Sequence, residues 1–578
     1  MTKSKWRMLL SIFALFAIMS IAVACGDDDD DDDGGDETPA AGTTTTGTTP
    51  TTAASPTEAK PSGTITIGGT QFETWDPHFS DFAQDIAHFF MVWRGAYELD
   101  LDNKPVPSMA AGAPTVSSDG KTYTVKLQSG LKWSDGTAMT AADFVAGIQR
   151  TCNPDNAGHY QYILTAIVGC DDYYGATDAT PEKKAELLKA LGVRAVDDLT
   201  IEYKLREAQP TFPILLALWP TFPVPSKKVT TPDAKWPGPL ENVYNGPFMP
   251  KAYTEKASIE LVPNPNWAGK TKPKVEKIVI RYIDDAAVSN NAYRANELDA
   301  TAANSSELDK LKTEFPKELN LYPATRTIGL EFNMKDPLMA KPEVRLALSQ
   351  ATDRATLNKV VFKDGNTPTT SWVPPVRNGL KGGEYDATIG FNATKAKENL
   401  AKAGYANGKD FPKLTMLLVD SATNKALGQF LQAEWEKHLG IKLELEFTDS
   451  KTRSSRFNSG EFQIVTGGWQ EDYPDPENWF IGLWETGGSI NKTKTSIKAL
   501  DDLIAKAKFN TKDEERRSQY RDAEKLLLEQ VSGIAPLWHT QAKTLIKPHI
   551  KGMIESKRPG DTFVSGDWNP ENWSTTKK

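Results

Sequence analysis

LTMLLVDSATNKALGQFLQAEWEKHLGIKLELEF, residues 414–447, contains the clearest fold signal in this chain of 578 residues. Residues 414–419 and 441–447 have the length and composition of strands. Between them, residues 424–439 have the length and apolar spacing of a helix. The stretch therefore predicts a β-α-β unit with two parallel strands, and with it an α/β fold.

Short strand and helix patterns continue on both sides of this unit, without a fixed repeat. Strands are predicted at 63–68, 121–127, 201–205, 258–261 and 276–282, and helices at 342–351 and 512–531. Thr140 to Asp143 resembles a capping box at the start of a further helix. About 520 residues follow the first sixty and exceed one ordinary core, so we expect two or three lobes with mixed sheets.

The N-terminal residues have the pattern of a secretory signal. A basic start is followed by an apolar run at 8–24 that is too short to span a bilayer comfortably. Residues 22–25 (AVAC) are similar to the lipobox of bacterial lipoproteins, which predicts a signal peptide over 1–25 and lipidation of Cys25. An ordinary secretory signal with an incidental cysteine is the alternative. Residues 26–60 are acidic and then Thr/Pro-rich, which predicts a disordered tether.

Charge and cysteine content exclude several classes of protein. The formal net charge is −9, but residues 1–60 hold four basic and ten acidic side chains, which leaves −3 for the body. This body has no basic field for nucleic acid. Cys152 and Cys170 remain after Cys25, and in an exported protein they predict one disulfide, with two free thiols as the alternative. No histidines lie at ligand spacing near either cysteine, so we expect no metal site there.

Six motifs, taken in order along the chain, resemble one protein family. They are WDPH at 75–78, KWSDGTAMTAADF at 132–144, NGPF at 245–248 with NPNW at 264–267, ELD at 297–299, VRLAL at 344–348 with DR at 353–354, and GWQEDYPDP at 468–476. Together they are similar to the peptide-type (family 5) solute-binding proteins of bacterial ABC importers, and most of all to the oligopeptide-binding proteins.

The resemblance implies a periplasmic-binding-protein-like fold of type II (cluster C). Two mixed α/β lobes joined by hinge strands would enclose a ligand cleft, with an extra domain inserted in the first lobe. The implied boundaries are 61–93, 219–325 and 540–578 for lobe I, 94–218 for the inserted domain, and 326–539 for lobe II. The implied protein is a lipid-anchored, extracytoplasmic, monomeric receptor. It would capture oligopeptides and deliver them to ABC permease subunits, and it would need no cofactor, no catalysis and no nucleic acid.

The resemblance also implies the residues that bind ligand. Asp472 matches the aspartate that holds the peptide amine, Trp469 matches a pocket wall, and Gly468 and Gln470 belong to a segment that pairs with the peptide backbone. On the facing lobe, Asp81, Phe82 and Ala83 match a second backbone-contacting strand. The remaining candidates are aromatic or imidazole side chains near the cleft: Tyr160, Trp538 and His539.

Departures from the family pattern leave other ligands open. Thr466 and Phe457 (beside Arg456) stand where some relatives have basic residues, and Asn304 is only the nearest match for a family asparagine. Recognition of a peptide carboxylate is therefore different or diffuse. An oligosaccharide, an opine or a metal chelate is the main alternative ligand. A secreted hydrolase that uses the acids of 471–477 is a remote alternative, because Pro474 and Pro476 place those acids on a turn.

Overall fold

The computed structural model describes residues 60–375, 383–554 and 569–577. The predicted signal peptide with Cys25, and all of the predicted tether except Lys60, lie outside these residues.

The described strands are Thr64–Gly69 (β1), Tyr97–Leu99 (β2), Pro105–Pro107 (β3), Thr115–Val116 (β4), Thr122–Lys126 (β5), Val193–Asp197 (β6), Thr200–Lys204 (β7), Phe248–Thr254 (β8), Ser258–Pro263 (β9), Lys277–Tyr282 (β10), Ala300–Ala302 (β11), Leu319–Phe332 (β12), Asn366–Pro368 (β13), Leu414–Val419 (β14), Leu443–Thr448 (β15), Ile464–Gln470 (β16), Ile534–Ile546 (β17), Ile550–Lys551 (β18) and Ser574–Thr575 (β19).

The helices are named in the same way. They are Ala83–Val92 (α1), Ala141–Thr151 (α2), Cys170–Tyr174 (α3), Pro181–Ala190 (α4), Phe212–Leu215 (α5), Ala286–Arg294 (α6), Leu308–Glu314 (α7), Pro342–Gln350 (α8), Arg354–Phe362 (α9), Asp386–Ile389 (α10), Ala393–Lys402 (α11), Ala422–Leu439 (α12), Ser450–Ser459 (α13), Lys498–Lys508 (α14) and Asp513–Glu529 (α15). None of the described helices combines the length and apolar character needed to cross a bilayer.

The predicted β-α-β unit is confirmed as β14, α12 and β15. The two strands pair in parallel, from Leu414 opposite Leu443 to Val419 opposite Thr448. The helix starts two residues before the predicted position, because the Ser421 side chain accepts a hydrogen bond from the amide of Asn424 at 3.2 Å and caps it. It ends at Gly440, whose φ of 71° is the left-handed conformation that terminates helices.

One large mixed sheet runs through the body. Its order is β15-β14-β16-β12-β17-β11-β1-β10-β9-β8, with β13 paired to β17 off this path. The long antiparallel strands β12 and β17 form the centre and join the two halves. Their pairing register shifts between Pro323 and Thr327, so the ladder is interrupted where one half meets the other. The mixed α/β class predicted from the sequence is confirmed.

Residues between β2 and α5 form a separate small layer. Strands β4, β5, β7 and β6 make a four-stranded antiparallel sheet. At the start of α2 the amide of Thr140 donates to the Asp143 carboxylate at 3.0 Å, which is half of the predicted capping box. Cys152 and Cys170 are joined by a disulfide, with their Cα atoms 5.2 Å apart. This bond closes the segment that carries Tyr160.

Residues 81–83 differ from their predicted structure. The prediction that they lie on a strand is wrong, because Ala83 is the first residue of α1. The Ser80 hydroxyl accepts the amide of Phe82 at 3.1 Å and donates to Asp85 at 2.7 Å. The amide of Asp85 also donates to the carbonyl of Phe82 at 3.0 Å, so the backbone turns into the helix at this point. All three residues remain exposed.

Candidate functional site

Three adjoining cavities lie beside β16, and Gly468 lines all of them. The Asp472 cavity has a volume of about 330 Å³ and includes the predicted residues Trp469 and Gln470 in its wall. The Arg453 cavity has a volume of about 440 Å³ and contains Trp538. The third, the Lys492 cavity, has a volume of about 220 Å³ and also contains Trp469. All of the predicted cleft residues except His539 thus line cavities beside this strand.

Asp472 is buried, and its partners come from two distant parts of the chain. Its Oδ1 lies 3.1 Å from the Tyr160 hydroxyl, and its Oδ2 lies 3.5 Å from that of Tyr162. The Asn478 side chain donates to Oδ2 at 3.1 Å and accepts the amide of Asp472 at 2.8 Å. These contacts orient the carboxylate at the wall of the cavity.

The two tyrosines act as permanent donors at this position. Burial, and next the charge of Asp472, raises the pKa of Tyr160 and of Tyr162 well above the ordinary value. Both hydroxyls therefore stay protonated at any physiological pH. Because they lie inside the segment closed by the Cys152–Cys170 disulfide, their positions are restrained from both ends.

Aromatic side chains form the walls of the Asp472 cavity. Trp469 stacks against Tyr160 with ring centroids 6.5 Å apart, and Tyr160 contacts Trp219 edge-on at 4.6 Å. The Trp469 indole donates to Asn478 at 3.0 Å, so the asparagine fixes both this wall and Asp472. The predicted role of Trp469 as a pocket wall agrees with its position, and its side chain is only partly buried.

Strand β16 offers an open edge to these cavities. On one side it pairs with β12 along its whole length, but on the other it pairs with β14 only at Ile464 and Val465. The carbonyl of Thr466 accepts a hydrogen bond from Arg453 on that second side. Backbone groups alternate in direction along a strand, so those of Gly468 and Gln470 face the same open edge.

Two glycines bring the β16 backbone close to its neighbours. A Cβ on Gly468 would lie 1.9 Å from the carbonyl oxygen of Thr327, and one on Gly467 would lie 2.4 Å from the Glu331 carboxylate. Side chains at these positions would push β16 away from β12 and fill the cavities. Glycine is therefore required for both strand packing and access.

The other predicted ligand-binding residues differ in which of the three cavities they line. Asp81 and Phe82 line both the Asp472 and the Lys492 cavities, and Ala83 lines the first of these. The Asp81 carboxylate pairs with His159 at 2.5 Å. Trp538 packs on Phe362 with ring centroids 4.5 Å apart.

His539 is not among the residues that line the three cavities. Its side chain is buried, and Nδ1 lies 2.8 Å from the Thr327 hydroxyl. Burial lowers the pKa of His539 to about 4, so it is neutral at physiological pH. Its observed contacts are those of a packed residue between the two central strands.

The acids after Asp472 hold the loop together. Asp475 accepts two hydrogen bonds from Arg516, one of them at 2.9 Å, and Glu477 accepts a third at 2.9 Å. Glu477 also accepts from Gln209 at 2.7 Å and from Thr211 at 2.9 Å. Asp475 and Glu477 therefore form a buried ion cluster with Arg516.

Among the described residues, no group of three or more His, Cys, Asp or Glu is arranged to hold a metal ion.

Several site residues could not be found from the sequence. Tyr162 and Asn478 lie close in sequence to Tyr160 and Asp472, and proximity to a candidate was their only signal. Arg326, Glu331 and Arg453 belong to a strand and a helix whose local patterns are ordinary. They were missed because only the tertiary fold brings them to the cavity.

Glu331 supplies a pH-dependent test of this geometry. It is buried between the Arg453 and Lys492 cavities, and burial raises its pKa to about 7, with the charge of Arg453 opposing the shift. The unfolded chain loses this proton at a lower pH than the folded chain, so ionisation costs stability as the pH rises from about 4.5 through 7. We expect Glu331→Gln to gain about 2–3 kcal/mol over the wild type between pH 5 and pH 8.

Urea unfolding of ligand-free protein at the two pH values measures this difference. Glu255→Gln, at an exposed position, serves as the matched control and should follow the wild type at both pH values. If the stability of Glu331→Gln parallels that of the wild type across this range, Glu331 is not the buried acid that the geometry indicates.

The chain is similar to bacterial solute-binding proteins in both sequence and structure. Residues 104–491 match the family described as bacterial extracellular solute-binding proteins, family 5. The periplasmic oligopeptide-binding protein OppA of Escherichia coli is 29% identical over 520 residues, covering 88% of this chain and 93% of the relative. OppA of Salmonella typhimurium is 30% identical over 495 residues, covering 84% and 89%. The solved structure of the E. coli murein tripeptide binding protein MppA superposes with a TM-score of 0.78 at 26% identity, covering 89% of this chain and 99% of that one.

Proposed function

We propose that this chain, which belongs to the family 5 bacterial extracellular solute-binding proteins, is a receptor that captures oligopeptides for an ABC importer. The predicted family and the type II periplasmic-binding-protein fold are confirmed. The protein acts outside the cytoplasm. It is a binding protein and not an enzyme, as are the proteins of its family, and the hydrolase alternative is set aside.

The observation that carries the peptide proposal is the setting of Asp472. An oriented, buried carboxylate at a cavity wall suits a peptide's terminal ammonium, because a buried cation requires a charged partner. The relatives named above as oligopeptide-binding and murein-tripeptide-binding proteins support the same ligand class. Tyr160 and Trp469 would then enclose the first peptide residue.

The open edge of β16 supports binding of the peptide backbone. An extended peptide can pair with the backbone at Gly468 and Gln470 as an added strand, whatever its side chains are. Asp81, Phe82 and Ala83 would contact it from the opposite wall as the exposed start of α1. This mode favours broad side-chain tolerance over selection of one sequence.

The two halves of the sheet would act as lobes that close on the ligand. We assign 61–93, 219–325 and 540–578 to lobe I, 94–218 to the inserted domain and 326–539 to lobe II. The register shift between Pro323 and Thr327 supports hinge strands in β12 and β17. The receptor would act as a monomer.

We further propose that the receptor is attached to the membrane. Cleavage before Cys25 would make this cysteine the new N-terminus and the site of lipid attachment, and residues 26–60 would form the tether. The protein would then remain beside its permease subunits at the outer face of the cell membrane, which raises the local concentration of captured peptide.

Mass spectrometry of the ligand released from purified protein tests the proposed function. The body from Lys60 onward is purified from cells without refolding, denatured, and its bound small molecules are identified. We expect a heterogeneous set of short peptides. A single oligosaccharide, opine or metal chelate would retain the family and reject the peptide proposal.

A further inference from the structure

Besides the contacts of Asp472, a separate set of hydrogen bonds joins the inserted domain to lobe II. The Glu477 carboxylate of lobe II accepts from the Gln209 amide at 2.7 Å and from the Thr211 hydroxyl at 2.9 Å. Glu477 and Gln209 are 0% exposed, and Thr211 is also buried. Nearby, the Lys508 ammonium of lobe II donates to the Thr165 hydroxyl of the inserted domain at 2.5 Å. We call these three bonds the interlobe latch.

Formation of the latch has both a gain and a cost in free energy. The gain comes from hydrogen bonds to a carboxylate, which are stronger than those between neutral groups. The cost falls on Gln209, whose Oε1 is buried and has no hydrogen-bond partner among the described residues. An amide oxygen of this kind binds water when it is exposed and loses that hydration when it is buried. The two contributions oppose each other, so the latch can both close and open.

Opening of the cleft would separate the two sides of the latch. Its residues belong to 94–218 on one side and to 326–539 on the other, and rotation about β12 and β17 would move these segments apart. Glu477 would then keep its bond with Arg516, at 2.9 Å within lobe II, and would exchange the inserted domain for water. None of the five latch residues lines any of the three cavities, so a ligand there does not contact the latch.

We infer that the interlobe latch holds the lobes closed without ligand, and that it sets how much of the empty receptor is in the closed form. This inference rests on the lobes and hinge of the proposed function. When a ligand is held by the closed form, its apparent affinity rises with the fraction of receptor that is already closed. That factor is the same for every ligand. The latch would therefore set the level of affinity and leave the preference among peptides unchanged.

A substitution that makes the latch repulsive tests this inference. Gln209→Glu replaces the amide donor with a second carboxylate opposite Glu477, and like charges at this separation favour the open form. Gln463→Glu is the matched control, because the Gln463 amide donates to Asp336 at 3.0 Å and both residues belong to lobe II. The control creates a similar like-charge contact that does not cross between the lobes. Thr211→Val is a milder second variant, since it removes one donor and adds no charge.

Distances between two spin labels report the lobe arrangement after bound ligand has been removed. Residues 59–578 form one compact unit, so the body from Lys60 onward is used, and its two native cysteines are bonded to each other. The labels are attached through Ala185→Cys on α4 and Ala401→Cys on α11, both at exposed positions. We expect the ligand-free wild type to populate a short interlobe distance. A longer distance should dominate in Gln209→Glu, and Gln463→Glu should match the wild type.

Calorimetric titration measures the consequence for affinity. Two peptides with free amines and different side chains serve as probes. Gln209→Glu should weaken the binding of both by about 10-fold, and by the same factor. Thr211→Val should weaken both by a smaller common factor, and Gln463→Glu should bind them as the wild type does. Unequal factors for the two peptides would place the effect of residue 209 on the ligand itself and reject the latch.

The outcomes separate this inference from the proposed function. If the ligand-free wild type shows only the long distance, or if its distances coincide with those of Gln209→Glu, the latch is wrong while peptide binding stands. If the distances shift as expected but no peptide binds, the latch stands and the proposed ligand is wrong. Thermal unfolding shows whether each variant is folded. If Gln209→Glu does not fold, the same distance measurement on Thr211→Val decides, and an unchanged distribution there rejects the latch.

Discussion

Asp472→Asn is expected to weaken the binding of a free-amine peptide by about 2–5 kcal/mol, the range for truncating one member of a buried charge pair. Asparagine keeps the shape of the side chain and its contact with Asn478, so the loop should keep its conformation. What is lost is the negative charge that Tyr160 and Tyr162 orient. The ligand ammonium would then be buried without a partner.

Titration of matched peptides isolates this effect. An N-acetylated peptide has no ammonium, so its binding to the wild type should already be weak and should change little in Asp472→Asn. Asp81→Asn is the control variant, because Asp81 lines the same cavity but is exposed and pairs with His159. We expect it to cost less than about 1 kcal/mol. Equal losses for the free and acetylated peptides would refute the role of Asp472.

Arg516→Met is expected to lower the free energy of unfolding by about 3–5 kcal/mol, the second large effect. Arg516 is 2% exposed, and it binds Asp475 and Glu477, which are also buried. Its removal leaves two buried carboxylates without their cation. Glu477 also holds Gln209 and Thr211 from the inserted segment, so the loss should extend beyond the loop.

Urea unfolding at pH 7 measures this loss, after bound ligand has been removed, because a ligand adds its own stabilisation. Arg517→Met is the matched control on the same helix. Arg517 pairs with Asp513 at the surface at 3.0 Å, and we expect its loss to cost less than about 1 kcal/mol. Similar costs for the two variants would show that the buried cluster contributes no more than a surface pair.

Local sequence patterns were sufficient for much of the fold. The β-α-β unit was predicted within two residues at each boundary, because the two strand-like runs and the helical spacing between them agree. Residues 81–83 were predicted wrongly, because the bonds of Ser80 and Asp85 that start the helix involve side chains whose partners cannot be read from a pattern. Helix starts formed by such local bonds override weak strand similarity.

The candidate site was only partly accessible from the sequence. Asp472 and Trp469 were identified through a motif, but the hydroxyl of Tyr160 comes to Asp472 from 312 positions away in the chain. Arg453 and Glu331 have no motif, and their importance arises from the cavity that β12, α13 and β16 enclose together. Contacts of this kind depend on tertiary packing, which no short window of sequence encodes.

The disulfide between Cys152 and Cys170 has a practical consequence for anyone who produces this protein. The bonded segment carries both tyrosines that support Asp472, so the bond restrains one wall of the binding pocket. Synthesis in a reducing compartment would give a chain with correct sequence and an incompletely restrained pocket wall. Production in an oxidising compartment is therefore expected to give the protein with its pocket wall restrained.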